Sequence, residues 1–250
     1  MIDYKTEEEI LLMKEGGKRL RKVVSRLAPE IRVGQTTQDL DKKAEELIRK
    51  AGGEPSFKKV KGYLWSTCLS INEQVVHTPP SHRQLKDGDV LTIDIGMFYR
   101  GFHTDFSTTL IVGGDANEEK RVFLETGKKT LDLAIKEAKL GNKISDISSA
   151  IEKKITGAGY FIMKELTGHG VGRELHEDPF VPGYVDRRDQ KSITIKPGLV
   201  IAIEVIYAAG SEDIKPEPKD DWSIISADRS LTACFEHTVA ISKKGTLILT

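Results

Sequence analysis

Apolar residues recur at helical spacing in four stretches of this chain and alternate at strand spacing between them. Leu20, Val23, Val24 and Leu27 predict a first helix ending near Ala28, opened by the capping box Thr6-Glu7-Glu8-Glu9. Pro29 to Gly34 reads as a turn. Thr36-Thr37-Gln38-Asp39 caps a second helix, with Leu40, Ala44, Leu47, Ile48 and Ala51 on one stripe and Gly52-Gly53 as its stop. Asn117 to about Leu140 predicts a third helix and Ser145 to Thr156 a fourth. Ser56 to Val76 reads as short strands and loops, and Glu212 to Trp222 as a loop.

The stretch VLTIDIGMFYRGFHTDFSTTLIV, Val90 to Val112, predicts a β-hairpin. Leu91, Ile93 and Ile95 alternate in the first arm, and Asp94 and Asp105 each break an apolar arm. A turn centred on Tyr99 and Arg100 makes Asp94 and Asp105 cross-strand partners on one face, with Cβ atoms about 5 Å apart. Two like charges that close repel by roughly 4 kcal/mol at an effective dielectric near 20, so a cation between them or a protonated acid is expected. The same pattern returns later. At an offset of 110, LKDGDVLTIDIG aligns with IKPGLVIAIEVI, so that Asp94 matches Glu204. ACFEHTVAIS then places Glu236 where Asp105 stood. The helical part repeats at an offset of 107, Gly34 matching Gly141, Asp39 matching Asp146 and Gly52 matching Gly159. Helix, helix, hairpin, twice over, favours an α+β fold over a doubly wound sheet. The expected organisation is one catalytic domain, 1–250, built from pseudo-symmetric halves of about 1–115 and 116–250.

Composition removes other classes. The 38 basic and 38 acidic residues balance, which argues against a nucleic-acid footprint. Two cysteines, Cys68 and Cys234, cannot build a cysteine zinc site, and a reduced cytoplasmic protein is expected. The acidic, polar N-terminus is no signal peptide, and no run of 18 apolar residues predicts a membrane span.

Four inward carboxylates from two similar halves point to metal. Between the halves lies TGHGVGRELHEDP, Thr167 to Pro179. It is not a nucleotide loop, because Arg173 stands where a third glycine is required. Its glycines permit close backbone approach, and His169 and His176 are candidates for the site. Four carboxylates against two divalent cations close near neutrality with a neutral His169. One nitrogen among oxygens suits Mn²⁺, Fe²⁺, Co²⁺ or Zn²⁺.

In IDIG, GFHTDFS, GHGVGRELHEDP, AIEV and FEHT the chain resembles the type I methionine aminopeptidases, M24 metallopeptidases of the pita-bread fold, over essentially its whole length. The resemblance implies a dinuclear centre held by Asp94, Asp105, His169, Glu204 and Glu236, with Asp105 and Glu236 bridging. It implies catalytic roles for His77, for His176 toward the substrate carbonyl, and for Glu204 as proton shuttle. It places a methionine pocket at Tyr63, Cys68 and Trp222, with Leu175 and Phe57 beside them, and a monovalent cation at Asn72 and Ser230. The implied activity is removal of the N-terminal methionine from nascent proteins and peptides, with a small second residue preferred. The implied setting is a cytoplasmic monomer with transient ribosome contact and no nucleic-acid or membrane binding of its own. His103 is read as packed or solvated, and His82 and His237 as structural. Thr78, Leu64-Trp65, Val205 and Leu175 depart from the family pattern. Two alternatives stand: a proline-directed aminopeptidase or prolidase, and a non-catalytic binding module on this fold. The latter expects lost ligands, and all five are present.

Overall fold

The computed structural model describes residues 1–114, 117–186, 192–218 and 220–250. The expected boundary between halves, near 115 and 116, lies outside the described residues, as does residue 219 within the stretch read as a loop.

Local chemistry fixes the helices. The Thr6 hydroxyl accepts the Glu9 N–H and the Glu9 carboxylate accepts the Thr6 N–H, opening α1 (Glu7–Leu27). This closes the capping box and satisfies two donors that a helix start leaves orphaned. Thr36 caps α2 (Thr37–Lys50) and Asn117 caps α3 (Glu118–Glu137), which stops short of the expected Leu140. In α4 (Ile144–Gly157) the Asp146 carboxylate accepts the Lys143 N–H.

The strands are β1 (Glu54–Pro55), β2 (Thr67–Ile71), β3 (Gln74–Val76), β4 (Val90–Tyr99), β5 (Phe102–Ile111), β6 (Phe161–Ile162), β7 (Thr167–Gly170), β8 (Glu177–Pro182), β9 (Val200–Ala208), β10 (Ile214–Pro216), β11 (Ile224–Ser226), β12 (Thr232–Ser242) and β13 (Gly245–Ile248). Thus the stretch expected as loop carries the short β10. Among the described residues a ten-stranded sheet follows the order β1-β4-β5-β12-β9-β7-β8, with β2 paired to β4, β6 to β9 and β13 to β12, and β10-β11-β3 form a small second sheet.

Period-two alternation divides the large sheet's faces. Ile93 and Ile95 pack with Leu20, Val23, Leu40 and Ile48 of α1 and α2. Ile203, Val205 and Phe235 pack with Leu131, Ile147 and Ile151 of α3 and α4. The two clusters are the two halves' cores, and both lie on the face away from the carboxylates. The halves repeat in detail. Gly34 and Gly141 have φ of 87° and 85°, Gly52 and Gly159 of 80° and 81°. Isolated bridges tie Thr36 to Gln84 in one half and Lys143 to Thr194 in the other.

The hairpin register differs from expectation by two residues. Tyr99 pairs with Phe102, so the turn is Arg100-Gly101, with φ of 48° and 90°. Positive φ at both central residues gives the twist that suits a two-residue hairpin. Asp94 therefore faces Ser107, and Asp105 faces Gly96. The two acids are diagonal neighbours, not direct partners. A two-residue shift preserves the face, so both still point the same way.

Candidate metal centre

Two adjacent rows of the sheet build the site. In the first, Asp94 pairs with Ser107, Ser107 with Glu236, and Glu236 with Glu204. In the second, Gly96 pairs with Asp105, and Ala202 pairs with both Thr238 and His169. The Thr238 hydroxyl joins the row by accepting the Asp105 N–H at 2.8 Å and donating to the Asp105 carbonyl at 2.8 Å. All four carboxylates and His169 thus lie on one face of β4, β5, β7, β9 and β12. By register Glu236 is the counterpart of Ser107, so its equation with Asp105 is corrected: the residue matching Asp105, opposite position 206 as Asp105 is opposite 96, is Cys234.

His169 reaches the acids because glycines flank it. A Cβ on Gly168 would collide with the Ala202 carbonyl and one on Gly170 with the Asp178 carbonyl. Only glycine lets β7 lie this close to its neighbours. The His169 Nδ1 lies 2.9 Å from the Gly170 carbonyl. A carbonyl only accepts, so Nδ1 carries the proton and Nε2 offers its lone pair to the acids. Nε2 lies 3.5 Å from Glu204 Oε1 and 4.0 Å from Asp105 Oδ2. Asp105, His169 and Glu236, all buried, offer ligand atoms within 4.8 Å of one another.

The electrostatics favour cations. Burial pushes Asp94, Glu204 and Glu236 well above the carboxylate range, and neighbouring carboxylates push them further. Burial raises Asp105 to about 7 and lowers His169 to about 3. Asp94 Oδ1 and Glu236 Oε1 are buried without a hydrogen-bond partner. Orphaned buried oxygens are costly, and this donor set, one imidazole among carboxylates, fits divalent metal.

Beside the carboxylates opens a cavity of about 140 Å³. Its apolar wall is Phe57, Tyr63, Cys68, Leu175 and Trp222, which pack as one cluster. Tyr63 stands edge-on to Trp222 at 5.1 Å, and its hydroxyl donates to the Thr67 carbonyl at 2.8 Å. His77 and His176 line the same cavity, both exposed at its rim. His77 adopts φ of 59°, strained for a non-glycine residue, as is common where a side chain is aimed at a site. Desolvation holds both imidazoles below the usual histidine range. The His176 ring packs edge-on against His169, centroids 4.4 Å apart.

The model of metallopeptidase family M24 matches residues 11–243. The chain belongs to metallopeptidase family M24. Methionine aminopeptidase 1 of Bacillus subtilis is 40% identical over 250 residues, covering 100% of this chain and 99% of that protein. The crystal structure of a methionine aminopeptidase from Thermotoga maritima superimposes with a TM-score of 0.95 at 34% identity, covering 100% of this chain and 99% of that one. A prolidase from Pyrococcus furiosus gives a TM-score of 0.80 at 26% identity, and this M24 chain spans 65% of its length.

The departures fall mostly outside the M24 site. Val205 is fully buried in the α3/α4 core, and Leu64 is 72% exposed. Thr78 accepts the Ser70 hydroxyl at 3.1 Å, which ties down the segment after His77. His103 is buried with Nδ1 3.0 Å from the Ser56 hydroxyl, His82 is exposed, and His237 packs on Phe106, so none joins the acids. The Asn72 side chain is spent on Asp89 and the Val90 N–H, whereas Ser230 Oγ is buried and unpartnered.

Sequence reasoning missed several buried charges, Lys5, Asp41 and Asp89 among them. Asp41 of α2 accepts the Ser66 N–H, the Thr67 N–H and the Thr67 hydroxyl at 2.9, 2.9 and 2.8 Å, tying the pocket loop to the helix. No sequence signal marks it, because it sits beside the apolar stripe of α2, where charges are ordinarily solvated.

Proposed function

We propose that this chain is a type I methionine aminopeptidase whose residues 1–250 act as one catalytic unit. The observation that carries the reading is the junction, in one cavity, of five metal-donor side chains, two with orphaned buried oxygens, with a sulfur- and aromatic-lined apolar wall. Asp94, Asp105, His169, Glu204 and Glu236 would hold two divalent ions, drawn from Mn²⁺, Fe²⁺, Co²⁺ and Zn²⁺. When bound, such ions polarise the scissile carbonyl and acidify a water.

The chain's own residues do the rest. The slot of Phe57, Tyr63, Cys68, Leu175 and Trp222 takes the first side chain, where thioether–aromatic contacts add about 0.3–1.5 kcal/mol. His176 donates to the carbonyl oxygen as charge develops on it. Glu204 carries a proton to the leaving amine. His77, at the rim, lies along the scissile peptide and leaves room for Gly, Ala or Ser as second residue. The unpartnered Ser230 Oγ supports a monovalent cation there. Buried free Cys68 and Cys234 support a reducing, cytoplasmic setting. Among the described residues no helix is long and apolar enough to cross a membrane. Nascent chains as substrate imply transient contact with the ribosome.

The test compares Met-Gly-Met-Met with Ala-Pro-Gly, assayed with Mn²⁺ or Co²⁺. Methionine is expected from the first and little product from the second. The reverse identifies a proline-directed enzyme. Cleavage of neither by metal-loaded protein indicates a binding module.

A further inference from the structure

The segment before α1 lies against residues 172–178, the loop that carries Leu175 and His176 together with the start of β8. Lys5 is the point of contact. Only 4% of it is exposed, which is rare for lysine unless paired. Its N–H donates to the Gly198 carbonyl at 2.7 Å. Its ammonium donates to the Asp3 carbonyl at 3.0 Å, lies 3.0 Å from the Asp3 carboxylate, and pairs with Glu177 Oε2. The other Glu177 oxygen accepts the Glu174 N–H at 3.1 Å, and the Gly172 N–H donates to the Glu174 carbonyl at 3.0 Å.

The loop is therefore folded around one carboxylate, and one buried ammonium holds that carboxylate. Lys5 lies directly against Gly172, where a Cβ would collide with its Cε and Nζ. Two further ties run alongside, Met1 to Asp178 and Glu9 to Arg173, both at 2.6 Å. Both are exposed, and exposed pairs contribute little. Lys5, buried, and Glu177, half-buried, form the inner pair, and Glu177 is the chain neighbour of His176.

We propose that Lys5 is a positioning residue for His176, acting through Glu177 without touching substrate. This rests on the reading that His176 meets the substrate carbonyl. A misplacement of about 1 Å costs up to about 10²-fold in rate, so a slackened loop should be visible in kcat.

The experiment uses the full chain loaded with Mn²⁺ and a Met-Ala-Ser peptide. Lys5→Met removes the charge at similar length. The expected result is a kcat lower by about 10-fold or more at unchanged metal content, with partial recovery in Lys5→Arg. In a His176→Ala background the same substitution should change kcat by less than about twofold, because there is no imidazole left to misplace. Equal losses in both backgrounds, or an undiminished kcat for Lys5→Met, would overturn the proposal. Full activity of His176→Ala alone overturns the reading of His176 and the proposal with it. That arm carries no change at Lys5, so the two failures are distinct. Should Lys5→Met not fold, Glu177→Gln keeps the loop acceptor, removes the charge and carries the same expectation.

Discussion

Stripping metal from this protein should cost it more stability at pH 8 than at pH 5.5. In the stripped site burial raises Asp105 from 3.8 to about 7, and Asp94, Glu204 and Glu236 move the same way. A carboxylate raised in the folded state contributes stability below its unfolded pKa and loses it as pH climbs through the folded pKa. Metal favours the ionised form and so recovers that loss. At pH 5.5 Asp105 must first give up its proton, at about 1.5 pH units or roughly 2 kcal/mol, a factor of about 30 in affinity. At pH 8 this cost has gone. For a domain of this size the difference is about 4–8 °C in Tm, and the other three acids add to it. Protonation of the unfolded chain is common to both states and cancels. His169, held at about 3, stays neutral throughout. The assay is thermal unfolding from pH 5.5 to 8, in EDTA and at fixed free Mn²⁺. The Tm gap should widen with pH and collapse in Asp105→Asn. A gap that is flat or narrows as pH rises refutes the argument.

His176→Ala should retain its metals by elemental analysis and lose about 10²–10³-fold in kcat, as expected for an oxyanion donor. A lost metal would instead make His176 a ligand. Asp41→Ala leaves two backbone N–H groups and a hydroxyl without their acceptor. Urea unfolding should show a loss of roughly 3–5 kcal/mol, and under about 1 kcal/mol would mean that the loop is held elsewhere.

The fold was largely readable because its signals are local. Thr6 with Glu9, Thr36 and Asn117 announce helix starts through bonds spanning three residues. The alternation around Ile93 and Ile203 announces which face is buried. The carboxylates were readable for the same reason, since an acid that interrupts an apolar strand must meet either a cation or a proton. Register was harder. Arg100-Gly101 and Tyr99-Arg100 both look like turns, and the choice rests on positive φ at two residues, which the glycine at 101 alone signals. Lys5 and Asp41 were not readable as buried. Each sits beside a helix start or an apolar stripe where charges are ordinarily solvated, and only packing against distant loops encloses them.

The register also accounts for a one-sided site in a duplicated chain. Asp94 and Glu204 are true counterparts, but the second strand of each half contributes differently. The first half offers Asp105 in the row of His169, and its counterpart in the second half is Cys234, which lies opposite Ile206. The second offers Glu236 in the row of Asp94, where its counterpart is Ser107. Two halves with matching acids would give two equivalent approaches to the metals. Here Phe57, Tyr63 and Cys68 of the first half form the apolar wall together with Leu175 and Trp222 of the second, His169 lies among the acids, and His176 stands at the rim. A peptide on the proposed reading has one productive orientation, its first side chain toward the apolar wall and its first carbonyl toward His176. The asymmetry that spoils the repeat is what gives the cavity a direction.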